Sequence, residues 1–396
     1  MNVLVINAGS SSLKYQLINM VDQQVLCKGQ VERIGIEGSF LKQKGGAEEA
    51  DIHAEIKNHN DAIQMVLEAL TDAKHGVVKS LEEIDAVGHR VLHGGEKFAD
   101  PVLVDEQVIH DLEAIVDLGP LHMPANISGI KACQQAMPVP QVAVFDTGFH
   151  QTMPPKAYLY GLPYEVYEKH KVRRYGFHGT SHLFVSQRAA ELRGTEKGRM
   201  ITCHLGNGSS LCAILDGKCM DTSMGLTPLE GVVMGTRSGD MDPAIVKFIM
   251  EKEHKTIEEM DHYLNKESGV YGLSGVSSDF RDLAKAAAEG HRRAILALDV
   301  FIYRIQKYIG AYAAALGGVD TLVFTAGIGE NDAKMRKDIL TGMEWLGIQL
   351  DDEANQQRGE HKISAPDSKV EVWVIPTNEE LVIARETVRL AKQAKA

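Results

Sequence analysis

Three cationic side chains of this sequence sit beside glycines that free the backbone. Arg90 lies in His89-Arg90-Val91-Leu92-His93-Gly94-Gly95, and Arg237 lies in Gly235-Thr236-Arg237-Ser238-Gly239-Asp240. His178 lies in Tyr175-Gly176-Phe177-His178-Gly179-Thr180-Ser181-His182. A lone Arg in a glycine-flanked turn is ordinarily a solvated charge. Two arginines and a histidine together suit the charge that develops on a transferring phosphoryl group, where one arginine is worth about 10³–10⁵ in rate. His178 precedes a helical pattern, and a histidine at a helix mouth is placed to meet an anion. His182 gives it i,i+4 spacing, but the Glu of a zinc-protease motif is missing and Gly179 intervenes, so no metal is expected there.

The same chemistry is signalled by a repeat. Val3-Leu4-Val5-Ile6-Asn7-Ala8-Gly9-Ser10-Ser11-Ser12-Leu13 returns as Ile201-Thr202-Cys203-His204-Leu205-Gly206-Asn207-Gly208-Ser209-Ser210-Leu211. The shared Ser-Ser-Leu sets the copies 198 residues apart, half of the 396-residue chain. Each copy reads as an apolar strand, a small-residue turn and a second strand. Such turns let backbone N–H groups approach phosphate oxygens. One turn alone would be an ordinary hairpin. Two, one per half, point to two lobes gripping one phosphate-bearing ligand.

Strands at 84–88 and 141–145 lead into the Arg90 motif and into Asp146-Thr147-Gly148, at carboxyl strand ends where open α/β sheets bind ligands. Helical patterns cover 61–70 and 105–116, and the Pro- and Tyr-rich stretch 153–167 reads as a crossing loop. The second half restarts at Met200. It continues through a helix near 291–316, the strand 321–325 running into Ala326-Gly327-Ile328-Gly329-Glu330-Asn331, and a last strand at 370–375 before a C-terminal helix. Alternating strands and helices in two related halves predict a duplicated α/β architecture. The expected division is a first lobe over 1–150, completed by the C-terminal helix 384–396, and a second over 151–383.

Composition narrows the field. With 44% apolar and 24% charged residues the chain is globular, and 396 residues call for two domains. A net charge of −12 opposes bulk attraction to nucleic acid or an anionic membrane. Asp299, Arg304 and Lys307 make 294–316 a buried or interface helix, not a membrane span. Asn7 and the Ser run interrupt the early apolar stretch, so it does not read as a secretory signal. Five cysteines without CxxC spacing read as buried, reduced thiols of a cytoplasmic protein.

Other motifs have plainer readings beside the functional ones. Gly327-Ile328-Gly329 would need its third Rossmann glycine at Asp332, and no P-loop is present. Thr377 and Glu380 fit a capping box, leaving Glu379 as a carboxylate able to hold Mg²⁺ through water. Asp279 fits a helix N-cap, or it flanks a nucleotide together with Arg281.

Taken together, the motifs from Asn7 to Lys14, around Arg90, Asp146, His178, His204 and Arg237, and from Gly327 to Asn331 resemble the acetokinase family. This is the acetate/propionate/butyrate kinase group of the sugar kinase, heat-shock ATPase and actin superfamily. The resemblance implies a duplicated ribonuclease-H-like fold with an active site between the lobes, and the reaction ATP + acetate ⇌ ADP + acetyl phosphate. It implies Mg²⁺ (with Mn²⁺ as a substitute) on Asn7 and Glu379, and ATP on Lys14, His204, Leu205, Gly206, Asn207 and Gly208. The nucleoside end would meet Asp279, Phe280, Arg281, Gly327, Ile328, Gly329, Glu330 and Asn331. Arg90 would bind the substrate, His178 and Arg237 would stabilise the transition state, and Asp146 would stand where a catalytic acid or base is usually named. A homodimer in the cytoplasm is also implied.

Acetate has a pKa near that of a Glu side chain (about 4.3) and is already ionised at neutral pH. No base is needed, so Asp146 is expected to position Mg²⁺ or its waters. Ala in place of Arg90 or Arg237 is expected to lower turnover much more than stability. By resemblance the acyl group faces Leu92, Leu121, Phe177 and Pro228. Leu92 is bulkier than the Val or smaller residue usual in the family, which favours acetate over propionate. Met123 stands where the family often has Asn. The alternatives are a propionate kinase and, in a different class, an actin-like or chaperone-type ATPase. The latter does not need the Arg90, His178 and Arg237 set.

Overall fold

A computed structural model describes residues 1–394; residues 395 and 396, the end of the expected C-terminal helix, lie outside the described residues. The chain divides into one unit of Met1–Gly148 joined by the segment from Asn378 onward, and a second of Phe149–Thr377.

The first unit holds β1 (Asn2–Ala8), β2 (Ser12–Asn19), β3 (Gln24–Glu32), β4 (Phe40–Lys44), β5 (Ala50–His53), β6 (Ala86–Val91), β7 (Val102–Leu103) and β8 (Gln141–Phe145). They form one sheet ordered β5-β4-β3-β2-β1-β6-β8-β7. β1, β2 and β3 pair antiparallel, while β6 joins β1 and β8 joins β6 in parallel. Successive side chains of a strand face opposite ways. Leu4, Ile6 and Ala8 therefore join the core containing Ala62, Val66 and Cys133, from helices His59–Thr71 and Met123–Ala136. Val3 and Val5 face Ile383 and Ala384 of the helix Glu379–Ala394. Burial on both faces explains why β1 is almost continuously apolar.

The second unit holds β9 (Arg199–Leu205), β10 (Ser209–Leu215), β11 (Lys218–Thr222), β12 (Thr321–Thr325), β13 (His361–Lys362) and β14 (Glu371–Val374), ordered β11-β10-β9-β12-β14-β13. Again three strands pair antiparallel and two follow in parallel. Ile201, Cys203 and Leu205 pack with Phe301, Ile305 and Ile309 of the helix Arg292–Leu316. Met200, Cys212 and Cys219 pack with Val185 and Ala189 of the helix Gly179–Arg193 on the other face.

The run β3-β2-β1-β6-β8 thus has the same order and directions as β11-β10-β9-β12-β14, and the duplicated α/β fold is present in both units. The repeat is not kept residue for residue. Ala8 pairs with Leu13, whereas Leu205 pairs with Ser209, so the first hairpin encloses residues 9–12 and the second only 206–208.

Candidate active site

In the first unit the parallel pairing of β6 with β8 sets Arg90 opposite Val144 and Val91 opposite Phe145. Asp146 follows at once, its N–H donating to the Val91 carbonyl at 3.0 Å. Arg90 is therefore not in a turn, as its glycine neighbours imply, but is the penultimate residue of β6. Its Nε donates to Asp146 Oδ1 at 2.9 Å and its terminal nitrogen to Oδ2 at 2.6 Å. Asp146 is fully buried and Arg90 is 28% exposed. The Asp146 carboxylate raises the Arg90 pKa above its ordinary value, against the opposing effect of burial; Glu379 and Glu380 add smaller pulls in the same direction.

Asn7 and Lys14 are partners across the β1–β2 hairpin. Both line a cavity of about 340 Å³ shared with Glu380, Lys28, Lys42 and Lys44. At the start of the C-terminal helix, Asn378 Oδ1 accepts from Leu381 N at 3.0 Å. The helix cap is thus Asn378, not the expected Thr377 and Glu380 box. Thr377 Oγ1 instead lies 2.8 Å from Ser181 Oγ. A buried residue that sequence reading passed over is Asn126. Its Nδ2 donates to the Ala8 carbonyl at 2.6 Å, and its Oδ1 accepts from Leu92 N at 2.9 Å. It ties the first small-residue turn to the Arg90 strand; its only sequence signal is a polar residue among apolar neighbours of a helix. Leu92 is half-buried, and Leu121 is exposed. Met123 is wholly in the core with Phe145 and Ile127, so a polar Asn there would need a partner.

The second unit gathers three histidines around three hydroxyls. His178 Nδ1 lies 2.9 Å, and His182 Nε2 2.8 Å, from Ser210 Oγ. His182 Nδ1 meets Thr202 Oγ1 at 2.7 Å, and His204 Nδ1 meets Ser181 Oγ at 2.8 Å. The His178 and His204 rings stack at 4.0 Å. His178 itself has φ 57°, left-handed backbone that is costly for a side chain larger than glycine and is typical of held functional positions. Gly208 shows what its ring faces. A Cβ there would lie 3.5 Å from an Arg237 guanidinium nitrogen and 3.6 Å from His178 Nε2. The second small-residue turn thus presents its backbone between an arginine and an imidazole, the makings of an anion site.

Arg237 is half-buried. It donates to the Pro228 carbonyl at 3.3 Å and approaches Met234 Sδ at 3.7 Å. No carboxylate pairs with it among the described residues, and burial lowers its pKa.

Beside this point lies a cavity of about 670 Å³, within the range of small-molecule sites. Gly206 and Asn207, Asp279 to Arg281, and Gly327, Ile328 and Asn331 line it, segments far apart in sequence. Asp279 is indeed the N-cap, accepting from Arg281 N at 2.8 Å. Arg281 also folds back on its carboxylate, and this pairing lowers the Asp279 pKa to about 2. A side chain at Gly327 would meet nothing within 4 Å, so its absence leaves the cavity open. Phe280 packs on Phe301, Leu205 is core, and Glu330 Oε1 accepts from Ala326 N (2.8 Å) and Thr377 N (3.1 Å). Leu205 and Glu330 brace the cavity from behind, while Phe280 both lines it and anchors it to the core. Arg336, also missed by sequence reading, is fully buried and donates to the carbonyls of Gly329 (2.9 Å) and Glu330 (3.0 Å).

Burial lowers the pKa of His89 to about 4, partly opposed by its bond to Gln141, and carries His182 well below its ordinary value. The unfolded chain takes up protons near pH 6.5 that these folded rings refuse, so stability falls as pH drops below that value. Each ring adds a slope of up to about 1.4 kcal/mol per pH unit, ending for His89 near its folded value. Urea midpoints between pH 7 and 4 should show this, with a shallower slope in His89→Gln.

Two sheets of one repeated topology, each with its polar residues at the carboxyl ends of parallel strands, define the duplicated ribonuclease-H-like class of α/β proteins. Within that class the chain belongs to the acetokinase family, whose model matches residues 2–385. It is 62% identical to the acetate kinase of Treponema denticola, over 99% of this chain and 100% of that protein. The crystal structure of Porphyromonas gingivalis acetate kinase matches with a TM-score of 0.95 and 50% identity, covering 98% of this chain and 99% of that one. A propionate kinase from Francisella tularensis matches with a TM-score of 0.92 and 43% identity over the same shares. Among the described residues no helix is long and apolar enough to cross a membrane.

Proposed function

We propose that this protein is an acetate kinase that moves the γ-phosphoryl group of ATP reversibly and in line onto acetate, giving acetyl phosphate and ADP. The observation that carries the reading is the convergence of Arg237 and His178 on the Gly208 backbone beside a nucleotide-sized cavity. Family membership supports it, and the name borne by relatives at about 60% identity favours acetate.

Acetate enters ionised, so one of its oxygens attacks phosphorus with no proton to remove. A new O–P bond forms as the bond to the β-phosphate oxygen breaks. Arg90 holds the acyl carboxylate. Asp146 gives both its oxygens to Arg90. We therefore assign it to positioning that guanidinium instead of the Mg²⁺ role expected from sequence. His178, stacked and hydrogen-bonded, and Arg237 meet the developing charge without reorganising. Asn7 and Glu379 offer oxygen donors of the kind a hard cation takes, and they would hold Mg²⁺ or Mn²⁺, which neutralises phosphate charge. A cytoplasmic homodimer completes the reading, supported by Leu296 and Tyr303, which are exposed on the helix Arg292–Leu316.

The test compares ADP release with acetate, propionate and butyrate, each with and without Mg²⁺. Acetate should be fastest and metal-dependent. A faster rate on propionate favours the propionate kinase, and equal release without any carboxylate favours the plain ATPase. Leu92→Ala should raise kcat/KM for propionate relative to acetate by about tenfold, as removed methylenes are worth about 1–3 kcal/mol. An unchanged ratio removes Leu92 from the acyl wall.

A further inference from the structure

Three side chains that the reaction does not use meet in the core of the second unit. Cys212 lies on β10 and Cys219 on β11. Cys219 pairs with Ile214, two residues beyond Cys212, so both thiols face the same side of the sheet. The register shift between Ala213 and Ile214 falls between them. His150 closes the group. All three are fully buried, and their ligand atoms lie within 4.8 Å of one another.

The Cys212 and Cys219 sulfurs stand 3.4 Å apart. His150 Nδ1 is 3.2 Å from Cys219 Sγ and 3.9 Å from Cys212 Sγ. His150 Nε2 lies 2.9 Å from the Phe177 carbonyl oxygen. A carbonyl only accepts, so Nε2 carries the proton and Nδ1 turns its lone pair toward the sulfurs. Metal-ligating histidines are fixed by this same bond from the other ring nitrogen to a backbone carbonyl. The three separations define a triangle whose centre is about 2 Å from each atom, against about 2.0–2.1 Å for Zn–N and about 2.3 Å for Zn–S. An ion slightly out of the plane meets all three lengths without backbone movement.

We propose that His150, Cys212 and Cys219 form a binding site for a thiophilic d¹⁰ cation, Zn²⁺ by charge balance. Two thiolates and a neutral imidazole neutralise Zn²⁺, which suits a buried site. Two Zn–S bonds and one Zn–N bond form as two thiol protons leave to water, with no change of oxidation state. The main-chain oxygen of Asp221, 3.6 Å from Cys219 Sγ, is within reach as a fourth donor. Burial pushes both thiols up, and for Cys219 alone the Cys212 bond and His150 outweigh it and lower the pKa. Soft sulfur donors do not suit Mg²⁺, so this site is separate from the cation of phosphoryl transfer. The ion would staple β10, β11 and the His150 turn together, and through the Phe177 carbonyl it would steady the backbone beside His178.

The test uses the full chain produced in zinc-depleted medium containing Co²⁺ and purified under reductant. One Co²⁺ per chain is expected, with a sulfur-to-cobalt charge-transfer absorption that added Zn²⁺ removes and that Cys212→Ser and Cys219→Ser each abolish. Loading should also raise the thermal midpoint of the wild type and not of the variants. Circular dichroism of metal-free protein checks that the variants fold, and the wild-type spectrum decides even if they do not. Wild-type protein without that absorption overturns the assignment, as does cobalt bound equally by both variants. A Cys212–Cys219 disulfide in air-exposed protein, with no cobalt uptake after reduction, overturns it in favour of a redox pair.

Discussion

Arg237→Ala is expected to lower kcat by about 10³-fold or more while leaving the thermal midpoint unchanged or higher. The reason is the company this guanidinium keeps. It is half-buried, touches a carbonyl and a thioether, and has no carboxylate partner among the described residues. A desolvated cation without a counter-charge weakens the resting protein. Its compensation is an anion, and on the proposed reading that anion is the phosphoryl group at the transition state. Arg237→Lys keeps the charge but loses the planar fork, so it should restore only part of the rate. Steady-state kinetics and thermal melts on the same preparations decide the matter. A large fall in the melting midpoint with near-normal kcat would make Arg237 a structural residue.

Arg90→Ala is expected to behave differently, losing both turnover and about 3–5 kcal/mol of stability. Its removal leaves the fully buried Asp146 carboxylate without either of its two charged donors. Turnover should fall by about 10²–10³-fold, the usual cost of one preorganised donor. The double variant Arg90→Ala/Asp146→Asn should regain most of the stability, because no buried charge is stranded, and none of the turnover. Asp146→Asn alone should lose activity that added Mg²⁺ does not restore. Urea denaturation and magnesium titrations read these outcomes. Recovery at high Mg²⁺ would return Asp146 to a metal-positioning role and separate it from Arg90.

The two arginines differ in the partners that the fold brings to them. Arg90 and Arg237 look alike in sequence, each a lone Arg near glycines, and sequence predicts for both a loss of turnover much larger than any loss of stability. The parallel pairing of β6 with β8 brings Asp146 onto Arg90 across 56 positions of chain. Among the described residues no carboxylate reaches Arg237 in this way. Likewise Thr377 and Glu380 satisfy the pattern of a capping box, but a neighbour, Asn378, makes the cap while Thr377 bonds to Ser181. A local pattern records which bonds are possible, and competition among distant partners decides which are made.

Resemblance to the acetokinase family suggests the residues at Gly208 and around the larger cavity, whereas the residues alone give the duplicated architecture and the two small-residue turns. These are legible because strand periodicity, glycine's backbone freedom and phosphate chemistry are local properties of short segments. Tertiary structure alone settles which charges are paired, that Met123 is core, that Asn126 braces the first turn and Arg336 the Gly329–Glu330 segment, and that three residues of the second unit form a soft-donor cluster. Those facts depend on contacts between residues far apart in the chain, whose energies come from burial and partner geometry and leave no mark on local spacing. Even the repeat was sharpened in this way: the same Ser-Ser-Leu closes hairpins of different length, because strand pairing, not sequence identity, sets the register.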